Sequence, residues 1–511
     1  MVGGLDNVGN RLLSVAGAVA LVGAMSQAPA KAADLGGDCC ADLEERVAEL
    51  EATTVRKGNK KVSVTLYGQI NKDVMFWDDG AEKNTYTVDN NYESSRFGLK
   101  GSAKISGDWT AGYRLEIEMT QATSQKLNQF DDNNANDPLG AFNVRHDFVY
   151  VNNKNLGEVR LGLTATPIYN ITKDTNVSDL EDTMHSDNRM MQGFYLRSTG
   201  FNNAEGLSGF GPDASSAHKS QKLRWQDISH CYDSSNAFVC STRKNGVAYW
   251  TPNWEGFSAS VGYFTDREWG AALRYKKEWG EAFEVGAGVG YSDVRDERFE
   301  TGGGGLADGP SPVPGDLGRF TNFQRDVQDW AGSASIKHKP TGLFAFTAFS
   351  FSDTNDTNTQ HAGVFTHTSD PGMSGWDVEG GIQRKMPWFG LDSFGETSFW
   401  GGYSDIRNGL GAVSLGGPNG AAGSNFGHIP ADRYLGVGTF ANVDVPVEIT
   451  GADVNRWSLA LDQELEKSGM HLYAVYQHLT PNVSLVDQDL KHVAAPLDDF
   501  DVFYTGARIY F

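Results

Sequence analysis

From residue 62 the chain alternates. VSVTLYGQI puts Val62, Val64, Leu66, Gly68 and Ile70 on one face and Ser63, Thr65, Tyr67 and Gln69 on the other. A period of two predicts β-strands with one apolar and one polar face. Phe97 and Leu99 oppose Arg96, Gly98 and Lys100. Tyr113, Leu115, Ile117 and Met119 oppose Arg114, Glu116 and Glu118. VRHDFVYV and EVRLGLTATP repeat the theme, with Arg145 and Arg160 on the polar face. Lys72 breaks the apolar face of the first strand, which points to a bulge or to a contact between subunits.

The alternation runs to the end of the chain, through WAGSASIKHK, LFAFTAFSFSD and NRWSLALDQEL to DVFYTGARIYF. About sixteen such segments can be counted, each near the ~9–11 residues with which a tilted strand crosses a bilayer. Short links, marked by Gly256, Lys277 to Gly280 and Lys339 to Gly342, alternate with long ones such as ERFETGGGGLADGPSPVPGDLGRF. A single amphipathic strand fits any soluble β-protein. Sixteen with this link pattern predict a closed antiparallel barrel standing in a membrane, its apolar face to lipid and no edge left unpaired. Aromatics near strand ends, Phe76 and Trp77, Trp109, Trp250, Trp279, and Phe399 and Trp400, suit the two interfacial girdles.

Composition narrows the class. The 511 residues include 60 Gly and 58 Phe, Trp and Tyr together, and the mean hydropathy is −0.42. That excludes a bundle of membrane helices. The net charge of −22 excludes a nucleic-acid surface, which needs a basic footprint. The high aromatic content excludes disorder.

The N-terminus reads as an export address. Arg11 precedes the apolar run Leu12 to Met25, and Ala28, Ala30 and Ala32 follow, so residues 1–33 are expected to form a signal peptide. Residues 34–60 are expected to form a periplasmic segment. In it Leu43, Val47 and Leu50 keep a coiled-coil rhythm too short to stand alone, which points to a helix with a partner copy or a surface beneath it. Residues 61–511 are expected to form the barrel. Of the four cysteines, Cys231 and Cys240 bracket a loop-like YDSSNAFV and make a disulfide candidate in an oxidising compartment. Cys39 and Cys40 are adjacent, and either pair between subunits or stay reduced. No metal or cofactor is expected. His146, His185 and His218 have no nucleophile context, and DDNNAND at Asp131 to Asp137 reads as a solvated loop rather than a Ca²⁺ site. The chain ends on Phe511, an aromatic on an alternating last strand, which resembles the assembly signal of bacterial outer-membrane barrels.

CCADLEERVAELEATTVRKGNKKVSVTLYGQINK, SRFGLKGSAKI, GEVRLGLTATP, GVAYWTPNWEGFSASVGYF and the final GARIYF together resemble the alphaproteobacterial porins of the porin-2 family, over essentially the whole mature chain. The resemblance implies a sixteen-stranded homotrimeric barrel in the outer membrane, among lipid and lipopolysaccharide, that passes ions and small hydrophilic solutes by diffusion. It also implies that a long external link folds inward to narrow the pore.

That link is expected after the fifth strand, from Pro167 to roughly Gly200, with Asp174, Asp179, Glu181, Asp182 and Asp187 as the acidic side of the constriction. Arg96, Arg114, Arg145 and Arg160 are the candidates for the opposite, basic wall. Arg96 and Arg145 resemble the arginine cluster of general-diffusion porins. Opposed charges would set a transverse field that sorts ions, and the acidic link leans the reading to cations. KLRWQD within residues 202–245 keeps eighteen strands open as an alternative. A surface adhesin or receptor is a second functional reading. A barrel phospholipase is a third, for which no Ser–His pair can be assigned.

Overall fold

A computed structural model of the chain describes residues 62–129, 132, 142–178, 180, 190–197, 199, 224–229, 242–265, 267–298, 324–356, 372–386, 394–408, 427–429, 445–487, 492–493 and 497–511. The expected signal peptide, the expected coiled-coil-like segment and all four cysteines lie outside these residues.

Alternation converts directly into strands. β1 (Thr65–Asp78) is followed by β2 (Lys83–Asp89), β3 (Arg96–Ser106), β4 (Trp109–Met119), β5 (Phe142–Asn153) and β6 (Gly157–Ala165). After the longest link come β7 (Arg243–Trp250), β8 (Phe257–Phe264), β9 (Trp269–Trp279), β10 (Phe283–Arg298), β11 (Gln324–His338) and β12 (Leu343–Asp356). The circuit ends with β13 (Met373–Arg384), β14 (Thr397–Arg407), β16 (Val445–Leu465), β17 (Met470–Asp487) and β19 (Phe500–Tyr510). Two short pieces, β15 (Gly427–Ile429) and β18 (His492–Val493), lie beside β16 and β17. Among the described residues helix is limited to single turns such as α1 (Ile171–Asp174) and α2 (Gln226–Ser229).

All pairings between these strands are antiparallel, and β1 pairs with β19 from Gln69↔Tyr510 to Asp78↔Asp501, so the sheet closes on itself. β2 and β3 are two halves of one crossing, because β1 pairs with β2 through Lys72–Asp78 and with β3 through Thr65–Gln69. The ring therefore has sixteen strands. The tight links lie at the rim that also holds the C-terminus. At His338–Leu343 the turn needs Gly342: its φ is +75°, and a Cβ there would lie 2.2 Å from the Gln383 carbonyl oxygen.

The two faces separate as the alternation requires. Leu66, Ile70, Val74 and Phe76 of β1 are exposed on the outside, while Gln69, Asn71, Asp73, Met75 and Trp77 are buried inside. Lys72 stands on the outer face, opposite the break between β2 and β3, with its Nζ 2.8 Å from the buried Asp89 carboxylate. The strand-end aromatics divide as well. Trp109, Trp279, Phe76 and Phe399 are exposed outside, but Trp77 and Trp400 face inward and are buried, and Trp250 lies inside against Arg160 and Arg274. The girdle expectation holds for the first group and fails for the second. Adjacent aromatics in a strand point to opposite faces, so one of each pair must enter the barrel.

The C-terminus completes the ring. The Gly68 amide donates to the Phe511 carbonyl at 2.9 Å, and the Phe511 amide donates to the Gly68 carbonyl at 3.1 Å.

Candidate functional site

Two local irregularities bring charge into the lumen. The first is in β5, where Glu116 pairs with His146 and Ile117 with Val144, leaving Arg145 as the extra residue of a β-bulge. A bulge re-aims a side chain. Arg145 therefore turns inward together with His146, and its Nε donates to Glu116 Oε1 at 2.9 Å while its Nη1 bonds Glu118. The second is residues 90–95, which leave the wall between β2 and β3. Gln69 and Asn71 each donate a side-chain amide to the Glu93 carbonyl at 3.0 Å, pinning this excursion to β1. The excursion carries the Glu93 carboxylate into the lumen, where it pairs with Arg96 and, at 2.6 Å, with Lys173.

The rest of the belt comes from β4. Glu116 Oε2 accepts from Arg114 Nη2 at 2.6 Å and from the Tyr67 hydroxyl at 2.9 Å. The Arg114 guanidinium also lies over the Tyr67 ring, 5.4 Å from its centroid. Ser94 donates to Glu118 at 2.9 Å. Arg243 stands over the Tyr169 ring at 4.6 Å and bonds its hydroxyl. The belt thus holds five cations, Arg96, Arg114, Arg145, Lys173 and Arg243, against three carboxylates, Glu93, Glu116 and Glu118. Arg160 sits apart from it: its Nε reaches Glu158 at 2.6 Å and its guanidinium stacks on Phe148 and Trp250.

The described parts of the long link after β6 lie inside the barrel. Ile168, Ile171 and Thr175 settle on the inward side of β10, over Gly286, Gly288 and Gly290. A Cβ at Gly286 would lie 1.9 Å from the Thr175 carbonyl oxygen, so only glycine leaves room for the link there. Further along, Met190, Met191, Phe194, Leu196, Trp225 and Ile228 are buried within the barrel's apolar core. Arg197 locks this part down: its Nη2 is 2.6 Å from Asp79 Oδ2, and both side chains are 1% exposed.

The expected site residues fall into three groups. Arg96, Arg114 and Arg145 meet in the belt, and Arg160 lines the wall outside it. Asp174 is in the lumen, but its Oδ2 faces Arg274 Nε of β9 at 2.7 Å rather than the arginine belt. Burial pushes the Asp174 carboxyl above its ordinary range, and Arg274 beside it pulls the other way. Asp179, Glu181, Asp182 and Asp187 lie outside the described residues, as do most of DDNNAND and the Cys231–Cys240 segment. Sequence reasoning missed Glu93, Lys173, Arg243 and Arg274 as lumen residues. For Glu93 a signal existed: DNNYESS interrupts the alternation between two good strands.

No curated protein matches the chain. Among solved structures, an anion-selective porin from Comamonas acidovorans aligns at 17% identity over 88% of this chain and 100% of its own, with a TM-score of 0.47. OmpT of Vibrio cholerae aligns at 13% identity over 90% and 100%, with a TM-score of 0.42. Salmonella typhi OmpF in complex with daunomycin aligns at 11% over 90% and 100%, with a TM-score of 0.43. The Gram-negative porin family model matches residues 16–482, which takes in fourteen of the ring's sixteen strands whole, most of β17, and the link after β6. The closed ring of amphipathic strands and the match over most of its length agree, and the chain belongs to the Gram-negative porin family, as a multi-pass barrel of the outer membrane.

Proposed function

We propose that the barrel is a water-filled channel for passive diffusion of ions and small hydrophilic solutes, working as a homotrimer, and that it is of the alphaproteobacterial porin-2 kind. The observation that carries the channel reading is the charged belt. Charged side chains inside a closed barrel, with Arg114 38% exposed and Lys173 29% exposed, belong to a wetted passage rather than to a dry core. In this reading the acidic stretch Asp179, Glu181, Asp182 and Asp187 faces the wall arginines and narrows the pore. The described belt carries two more cations than carboxylates. Those four acids, brought up to it, would reverse the balance and favour cations.

Single-channel recording of the refolded protein in a planar bilayer tests this. The expected result is conductance in steps of three per insertion event. A silent membrane, from protein shown to be a folded, heat-modifiable barrel, would overturn it.

A further inference from the structure

The interior is not uniformly wet. Along β3 to β6 part of the inward face meets solvent: Lys100 is exposed, Arg114 is 38% exposed, and Arg160 and Tyr150 are half-buried, while Glu116, His146, Phe148 and Thr164 are buried. From β11 round to β1 the picture inverts. Away from the tight-turn rim, the described inward side chains of these strands are sealed. Ser350, Asp377, Ser404 and Gln477 have 0% exposure, Ser458 2% and Ser333 4%.

Two features explain the seal. The inward positions of β11 to β14 are often small, as at Ala331, Ser333, Ala348, Ser350 and Ser404, and small side chains let facing elements approach closely. Large apolar groups fill the remaining space. Phe346 of β12, Trp400 of β14, Val475 of β17 and Tyr504 of β19 belong to one contiguous core with Phe194 and Trp225 of the inward link. An independent observation agrees. Arg456 Nη2 and Asp377 Oδ2 are 3.2 Å apart and both side chains are 0% exposed. Ions withdrawn this completely from water persist only when paired, which is the condition of a protein core and not of an aqueous lumen.

We infer that the water path is confined to the sector of the lumen bounded by β3 to β6 and the α1 segment, and that the sector from β11 to β1 is a solid, water-free part of the barrel. The inference rests on the channel reading and deepens it. The solutes that pass are those that fit a one-sided track lined by Lys100, Arg114, Arg145, Arg160 and Lys173 with their glutamate partners.

The test is cysteine accessibility in the refolded full-length mature barrel, with Cys39, Cys40, Cys231 and Cys240 replaced by serine. One set, Lys100→Cys and Arg160→Cys, lies on the track. The other, Ser350→Cys, Ser404→Cys and Ser458→Cys, lies in the sealed sector and changes one atom per site. A charged methanethiosulfonate reagent is added during bilayer recording, and labelling is scored by mass. The expected result is labelling and loss of conductance for the track set only, with the sealed set labelling only after heat unfolding. Labelling of the sealed set in the folded, conducting barrel at rates within about tenfold of the track set overturns the inference. A conducting barrel in which neither set reacts also overturns it, because the ions then take another route. A barrel that is folded but does not conduct, with neither set reactive, overturns the channel reading itself.

Discussion

Glu116→Gln removes one negative charge from the belt while keeping the shape that Arg114, Arg145 and Tyr67 pack against. In wild type this carboxylate accepts three hydrogen bonds, at 2.6, 2.9 and 2.9 Å. For an ion passing at ~8 Å through water, one charge is worth about 0.5 kcal/mol before screening. It acts with opposite sign on cations and anions, so its loss shifts their permeability ratio by about 1 kcal/mol. Salt reduces this. A Debye length near 10 Å at 0.1 M roughly halves the effect, leaving about a twofold change toward anions, while one near 3 Å at 1 M abolishes it. The assay is the reversal potential across a KCl gradient, run at both ionic strengths. Glu118→Gln should act in the same direction. Asp462→Asn, in the sealed sector beside His471, should leave the ratio unchanged. An unaltered ratio at 0.1 M would refute the placement of Glu116 beside the ion path. A shift of equal size at 1 M would refute the electrostatic account of it.

Other outcomes follow from the same geometry. Neutralising Asp179, Glu181 and Asp182 together should move the reversal potential toward anions, since the described belt alone is cationic; no movement would place that stretch away from the constriction. Arg197→Met leaves the Asp79 carboxylate buried without its guanidinium and should cost about 3–5 kcal/mol, read as a lower urea midpoint of the folded barrel, with part of the loss recovered in the Asp79→Asn, Arg197→Met double variant. Gly162→Ala asks an L-residue to hold a φ of +127° with its Cβ 2.3 Å from the Asp147 carbonyl oxygen, so refolding yield should fall; an unchanged yield would show that β5 and β6 can part locally. Phe511→Ala removes the aromatic ring at the closing β1–β19 seam and should slow appearance of the heat-modifiable form, as followed by gel shift.

Most of the wall was legible because its rule is local. Alternation says which residues share a face, and Arg96, Arg114 and Arg160 point inward as their parity requires, whereas Arg145 does so through the bulge. The strand count resolved at sixteen. Trp225, in the KLRWQD segment that kept eighteen open, is buried in the core with α2 immediately after it. What was not legible depends on departures from the rule. The bulge at Arg145 cannot be read from RHDF, because parity is satisfied on either side of the extra residue. The excursion that delivers Glu93 shows in sequence only as a loss of pattern, with no hint of its direction. The partner of Asp174 was beyond reach, since Arg274 lies a hundred residues away and meets it only because β9 and the inward link share one side of the lumen.

The largest misreading available from sequence concerns water. A polar residue on the inner face of a barrel strand is taken as wet, because the outer face meets lipid and the two faces must differ. Parity supplies only that difference. Whether an inward serine meets solvent depends on what stands across the lumen, which here is an apolar core built from the inward link and from aromatics on opposing strands. Ser404 and Arg114 obey the same alternation, yet one is sealed and the other half open. Charge marks the distinction better than polarity does. The sealed sector pairs its charged groups closely, as in Arg456 with Asp377, because an unpaired ion there would cost several kcal/mol. The track tolerates an excess of cations because water screens them. In this barrel an unbalanced set of inward charges, rather than a polar inner face, locates the path that solutes take.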